Sequence, residues 1–230
     1  MLQLFKENAS RNWSVFCFIS KMNFRYIFLI VILCFQSVLY AQRERVQTFD
    51  ASGIEFIQLQ VDEVFKIEVE TKASAENIQL FTISEGEYFN DIALSVERDL
   101  NHLQITSTYK EILTSGYDKL SAHKVYAVNL KLIIPEGLQL TIISNIANVQ
   151  AKGIFNFFEA ELKSGACQLT SFTGKALVNT FTGDVSIQTT QAKVVASSNH
   201  GKVEIDHELD FGELIEVKSI YGSILVTKTQ

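Results

Sequence analysis

The chain has 230 residues, 20 of them basic and 26 acidic, and its first 41 differ in kind from the rest. Those 41 hold four of the basic residues and one of the acidic ones, so residues 42–230 carry 16 against 25, a net charge of −9. Such a chain is a poor partner for nucleic acid or an anionic membrane surface, and its 189 remaining residues suffice for one domain with a real core.

Residues 1–41 read as targeting rather than fold. Arg25 leads into an uncharged apolar run over 26–35, and Leu39-Tyr40-Ala41 then offers a small residue at a cleavage position. The core of this signal peptide is 22–41, with cleavage after Ala41; Met22 could itself begin it, leaving 1–21 as an upstream extension. The alternative is an uncleaved anchor, because 24–41 is about as long as a minimal membrane span. The polar pair Gln36-Ser37 breaks the run and favours cleavage. The chain is therefore expected to be exported, to the periplasm, the outer-membrane surface or the medium, and to meet a membrane only through an uncleaved signal segment.

The rest, 42–230, reads as one all-β domain. Over 43–135 the strands are irregular. Ile57, Leu59 and Val61 alternate with Gln58 and Gln60, and Phe65, Ile67 and Val69 follow a turn at Asp62-Glu63. Ile92, Leu94 and Val96 are expected to pair with Leu103 and Ile105 across a turn at 99–102. Residues 110–121 carry no pattern and are expected to form a loop. Tyr126, Val128, Leu130, Leu132 and Ile134 make one long alternating strand that stops at the only proline, Pro135.

From Leu138 the pattern becomes a repeat. Units start at Leu138, Ala147, Asn156, Gly165, Gly174, Gly183, Ala192, Gly201, Glu213 and Gly222, nine residues apart except for a single step of twelve from Gly201 to Glu213. The residues two and four places after every start, from Leu140 and Ile142 to Ile224 and Val226, are all apolar, while those between are mostly polar. Each unit is thus a short half-buried strand. Ser144, Ser171, Thr180, Thr189, Ser198 and Ser219 stand three places before a start, giving a loose [Ser/Thr]-x-x-Gly-x-apolar-x-apolar signature.

Nine residues are too few for a repeat of paired helices. They fit a single-stranded parallel β-solenoid, or β-helix, with two units in each coil of about 18 residues, the region 43–135 serving as its opening strands and cap. Gly165, Gly174, Gly183, Gly201 and Gly222 are its turn glycines, expected to supply positive φ at the corners. An antiparallel β-sandwich shares the period of two but does not require fixed nine-residue spacing. A calcium-binding roll is excluded, since Asp184 is the only acid immediately after a start.

Grouping alternate units puts the starts Asn156, Gly174, Ala192 and Glu213 on one sheet. Its outward positions include Phe157, Leu177, Val195 and Leu214, with Lys175 and Lys193 beside them, and this is the expected partner-contact face. Leu177 and Val195 should stack one coil apart, as should Lys175 and Lys193. The opposite sheet shows Gln150, Gln168, Ser186 and Glu204. An outward apolar row calls for a cover, which could be the 110–123 segment, an N-terminal strand, a partner or a second copy.

The strand Leu132-Ile133-Ile134-Pro135-Glu136-Gly137, the signal peptide ending Tyr40-Ala41-Gln42, and the serial units Thr180-Phe-Thr-Gly183-Asp-Val and Ser198-Asn-His-Gly201-Lys-Val resemble the bacterial putative-adhesin β-strand-repeat family, including adhesin-head-like domains. The resemblance spans roughly 46–230. It implies an exported β-solenoid of the envelope, from a Gram-negative bacterium, that binds a protein or a glycan, and it brings no catalytic residues. The insertion at 207–211 and the glycine-free turn Asn145-Ile146-Ala147 depart from the pattern.

Little in the sequence speaks for catalysis. His102 and His200 fall in expected turns. Asp206, His207, Glu208 and Asp210 cluster in the insertion, where a solvated turn is the simpler account than oxygen ligands for a cation. Glu159 with Glu161, and Glu204 with Asp206, would point outward in pairs, as a polysaccharide-active β-helix requires, but on opposite sheets. No cofactor or metal is expected, and a binding or structural module is preferred to an enzyme, with an envelope sensor or scaffold component as the non-adhesive alternative. Of three cysteines only Cys167 would survive cleavage, and its inward slot predicts a buried, unreactive thiol.

Overall fold

A computed structural model of the chain describes residues 42–85, 92–109 and 127–229. The expected signal peptide and cleavage site and the expected loop over 110–121 lie outside the described residues. Within them every element is a strand: β1 (Gln42–Asp50), β2 (Phe56–Gln60), β3 (Lys66–Lys72), β4 (Asn77–Glu85), β5 (Ile92–Asp99), β6 (His102–Tyr109), β7 (Ala127–Pro135) and β8 (Gln139–Ser144), then β9 (Asn148–Ser164), β10 (Cys167–Thr182), β11 (Val185–Thr189), β12 (Lys193–Ser198), β13 (Val203–Ile205), β14 (Leu214–Ser219) and β15 (Ile224–Lys228). The expectation of an all-β chain is met, and the pairing is mixed, parallel through the repeat and antiparallel toward the N-terminus.

The strands form two rows. One runs β1-β4-β7-β3-β9-β10-β11-β15-β13 and the other β5-β6-β2-β8-β9-β10-β14-β12. β9 and β10 belong to both because each turns a corner: the first half of β9 pairs with β3 and its second half with β8. A tier is then one strand from each row. Val149, Cys167 and Val185 lie side by side in one row, and Leu140, Phe158 and Ala176 in the other, each step eighteen residues in sequence. The tier of β2 and β3 precedes them, Ile57 lying beside Leu140 and Ile67 beside Val149. Thus β2 and β3 stack in parallel as a further tier on β8 and β9. The antiparallel pairs β1–β4, β4–β7 and β5–β6 extend the rows beyond it, with Val96 opposite Ile105.

The order of the last two tiers departs from the sequence. A strictly sequential stack would set Val194 beside Ala176 and Val203 beside Val185. Instead Ala176 lies beside Ile215 and Val185 beside Ile224, while Val194 and Val203 pair with the far sides of those two residues. The final tier, β14 with β15, is therefore inserted between β10–β11 and β12–β13. Packing gives the reason. Sixteen of the twenty inward positions of the repeat are buried, and the four that are not, Val194, Ala196, Val203 and Ile205, all belong to the displaced tier. Val203 is 37% and Ile205 40% exposed, which corrects their expected burial. The inner position instead goes to Ile215, Val217, Ile224 and Val226, all branched and all enclosed. The three extra residues of the twelve-residue step supply chain for the return, and Leu209 within it is buried.

The corner glycines act mainly by close approach. Positive φ occurs at Gly165 and Gly174, as expected, but not at Gly183, Gly201 or Gly222. At those three a Cβ would fall on a backbone carbonyl of the neighbouring tier: Gly183 on Gly165, Gly222 on Gly183, Gly201 on Gly222. Glycine is needed there because the tiers touch through their main chains.

Candidate binding face and corner groove

Four of the six signature hydroxyls, those of Ser144, Thr180, Ser198 and Ser219, build one corner between the rows. Ser219 Oγ accepts the Gly222 N–H at 2.8 Å, Ser198 Oγ accepts the Gly201 N–H at 2.9 Å, and Ser144 Oγ accepts the Ala147 N–H at 3.2 Å. The same groups also tie tiers together. Thr180 Oγ1 lies 2.9 Å from Ser219 Oγ, Ser198 donates to the Gly222 carbonyl at 2.8 Å, and Ser144 donates to the Val61 carbonyl at 2.7 Å. Thr180, Ser219 and Ser144 are buried, so these bonds satisfy groups that would otherwise cost stability.

In the units of one row, those starting at Leu138, Asn156, Gly174, Glu213 and Ala192, the sixth place turns inward and the fifth and seventh stand up on either side. Tier by tier, the fifth places are Ile143, Glu161, Asn179, Lys218 and Ser197, and the seventh are Asn145, Lys163, Phe181, Ile220 and Asn199. All ten line a single cavity of about 570 Å³ that follows the corner across five tiers. At about 4.8 Å per tier the groove is roughly 19 Å long. Over the last three tiers an aromatic group stands at this corner, Phe181 in the groove wall and Tyr221 and His200 one place further along the chain from the lining Ile220 and Asn199. The Tyr221 ring stacks on His200 at 4.8 Å and 11°, and meets Phe181 edge-on at 5.5 Å. Phe181 and Tyr221 remain 47% and 55% exposed. Tyr221 reaches both neighbours because its tier lies between theirs.

The expected partner-contact residues do share one outward face, but not the expected adjacency. Leu177 and Val195 each pair with Glu216, and Lys193 pairs with Leu214, which also follows Lys175 along its column. The two apolar residues are therefore two tiers apart with a carboxylate between them, and so are the two lysines with Leu214 between them. This correction follows directly from the inserted tier. Phe157 precedes Lys175 in that column, half-buried, while Val195 and Leu214 are exposed. Lys175 approaches Glu213 at 3.9 Å and Lys218 meets Glu216 at 2.6 Å, so the face is charge-laced rather than purely apolar. On the opposite row Gln150, Gln168, Ser186 and Glu204 do form a column, with Leu225 inserted before Glu204. The 110–123 segment weighed as a cover lies outside the described residues.

Glu159 accepts from Thr141 at 3.1 Å on the same row as Glu161, whereas Glu204 is on the other. In the insertion, the N–H groups of Glu208 and Lys228 hold the Asp206 carboxyl below its ordinary range. A 2.7 Å bond from its ammonium to Glu208 raises Lys228. Asp206 and Glu208 are thus engaged with chain and lysine, and His207 is exposed. Among the described residues no group of His, Cys, Asp and Glu is placed to hold a metal ion. Cys167 is enclosed between Val149 and Val185, and burial pushes its thiol up to about 12.

Sequence reasoning named the face and missed the groove. His200 read as a solvated turn residue, and the fifth and seventh places show no period in residue type. The one available signal was the recurrence of Ser or Thr at the sixth place, which marks where a corner must be.

No described protein family matches the sequence, and no curated protein does either. Solved structures do. A putative cell adhesion protein from Clostridium sporogenes is similar over 82% of this chain and 100% of its own, at 13% identity and a TM-score of 0.60. A putative adhesin from Bacteroides fragilis matches 80% of this chain and 97% of its own, at 9% identity and a TM-score of 0.35. At such identities the likeness is one of fold, and at a TM-score of 0.35 it adds nothing to the first. The chain shares its fold with a protein described as a putative cell adhesion protein, in agreement with the resemblance read from its repeats.

Proposed function

We propose that the chain is an exported binding module of the cell envelope, of the putative-adhesin type, whose parallel tiers form a β-solenoid presenting flat faces to a protein or glycan partner. The observation that carries this reading is the in-register stacking of outward side chains. Each column repeats at the strand spacing on a rigid core, so a partner meets many contacts at fixed separations without ordering a loop. The fold shared with a protein described as a cell adhesion protein supports the same class. An envelope sensor or scaffold would use the same faces, and a polysaccharide-active enzyme would use Glu159 and Glu161.

Two measurements on the native host test the reading. Fractionation with intact-mass analysis should find the protein outside the cytoplasm, beginning at Gln42; a cytoplasmic protein retaining Phe28 would refute export. Cross-linking in intact cells should capture an envelope component, and Leu177→Glu with Val195→Glu should abolish capture without changing the melting temperature if the flat face makes the contact. A large fall in melting temperature would show instead that this face packs within the chain. Release of shortened glycans on incubation would favour the enzyme.

A further inference from the structure

We infer that the corner groove is a carbohydrate-binding site, with its ligand a neutral, extended oligosaccharide chain lying along the stack. This rests on the binding-module reading and specifies where, and for what chemistry, the module binds.

Four features of the groove select this ligand. Its volume of about 570 Å³ is that of a small-molecule cleft. It is long and open across five tiers, so it suits a chain whose successive residues advance by about one tier each. Asn145, Asn179 and Asn199 recur along its walls. A primary amide donates and accepts side by side, which matches a pair of vicinal hydroxyls, each also a donor and an acceptor. The exposed Phe181 ring in the wall, with the exposed Tyr221 ring against it at the groove's border, then supplies an apolar face for the C–H side of a sugar ring.

Other occupants fit less well. An anionic glycan would need a surplus of free cations, but of the groove's two lysines Lys218 is held by Glu216 at 2.6 Å, and Glu161 in the opposite wall offsets Lys163. An extended peptide recognised through its main chain needs an unpaired strand edge. The wall strands β8, β9, β10 and β14 are paired on both sides, and the one open edge, that of β12, is at the end of the stack rather than along the groove.

The test is calorimetric titration of the full chain with four neutral hexasaccharides: those of cellulose, laminarin, mannan and chitin. At least one should bind. Phe181→Ala, Tyr221→Ala and Asn179→Ala should each weaken it, by tenfold or more for the aromatic changes, while Gln168→Ala on the opposite row leaves it unchanged. Asn179→Ala keeps the test sound if the aromatic variants prove unstable, and melting curves identify any that are. Binding indifferent to all three groove variants would overturn the assignment. So would the absence of binding by any hexasaccharide at millimolar concentration, or binding only of an acidic chain such as oligogalacturonate. If the hexasaccharides fail while cross-linking in cells still captures an envelope partner, the groove assignment falls and the binding-module reading stands.

Discussion

The inserted tier makes a prediction that a sequential stack contradicts. Leu177, Glu216 and Val195 occupy one outward column in that order, so Leu177 and Glu216 are immediate partners, as are Glu216 and Val195. Leu177 and Val195 are two tiers apart, about 9.6 Å from the usual strand spacing. A disulfide needs Cα atoms within about 7 Å. With Cys17, Cys34 and Cys167 replaced, the pairs Leu177→Cys/Glu216→Cys and Val195→Cys/Glu216→Cys should oxidise, and Leu177→Cys/Val195→Cys should not. In a sequential stack the first pair would fail and the third would form. The second forms in either order and so controls for the geometry of a parallel pair. The first disulfide closes a loop of 39 residues, for which chain entropy gives about 4 kcal/mol at most. In a domain of this size that raises the melting temperature by roughly 10 °C, less any strain in the bridge. Non-reducing electrophoresis with peptide mapping reads the bridges, and differential scanning calorimetry reads the shift. Rapid oxidation of Leu177→Cys/Val195→Cys with none at Leu177→Cys/Glu216→Cys would refute the exchange, and with it the placement of Tyr221 between Phe181 and His200.

Three further outcomes are expected. Ile187, enclosed between Leu169 and Val226, should cost roughly 2–5 kcal/mol on change to Ala. Ser186→Ala beside it should stay within about 0.5 kcal/mol, and equal tolerance in denaturant titrations would undo the inward assignment. Gly222→Ala should destabilise by roughly 1–3 kcal/mol or more, because its Cβ would meet the Gly183 carbonyl of a tier held on both sides; a neutral result would mean that the tiers do not touch there. Cys167 should resist alkylation until the chain unfolds, as mass spectrometry of its peptide would show. Its thiol ionises near 9.0 when unfolded and near 12 when buried, so above pH 9 the unfolded chain binds fewer protons and stability falls as pH rises. The slope should be about 1.4 kcal/mol per pH unit until pH 12 is approached, and Cys167→Ala should remove that contribution; an unchanged slope in the variant would place the thiol in solvent.

Much of this was legible in the sequence, because strand burial has a period of two and the units a period of nine. Val149 and Ala151, or Ile187 between Ser186 and Gln188, declare their faces by residue type alone. The sharing of a sheet by alternate starts followed from spacing, and the buried, unreactive Cys167 followed from its slot. Even the corner hydroxyls were visible, although their partners across tiers were not. For the corner glycines the residue was legible and the reason was not. Sequence suggests positive φ, whereas Gly183, Gly201 and Gly222 are there because a neighbouring backbone passes too close for a Cβ.

Which residues point inward, which share a row, and where the corners fall can be read from the chain alone, since each depends only on local alternation and turn chemistry. The order in which similar tiers stack depends instead on long-range packing. Parallel strands of equal length and alternation can pair in either order with the same main-chain hydrogen bonds, so the choice falls to side-chain burial. Enclosing Ile215, Val217, Ile224 and Val226 removes more apolar surface from water than enclosing Val194, Ala196, Val203 and Ile205. That difference, with the slack of three extra residues after Gly201, puts Tyr221 between Phe181 and His200, and Glu216 between Leu177 and Val195.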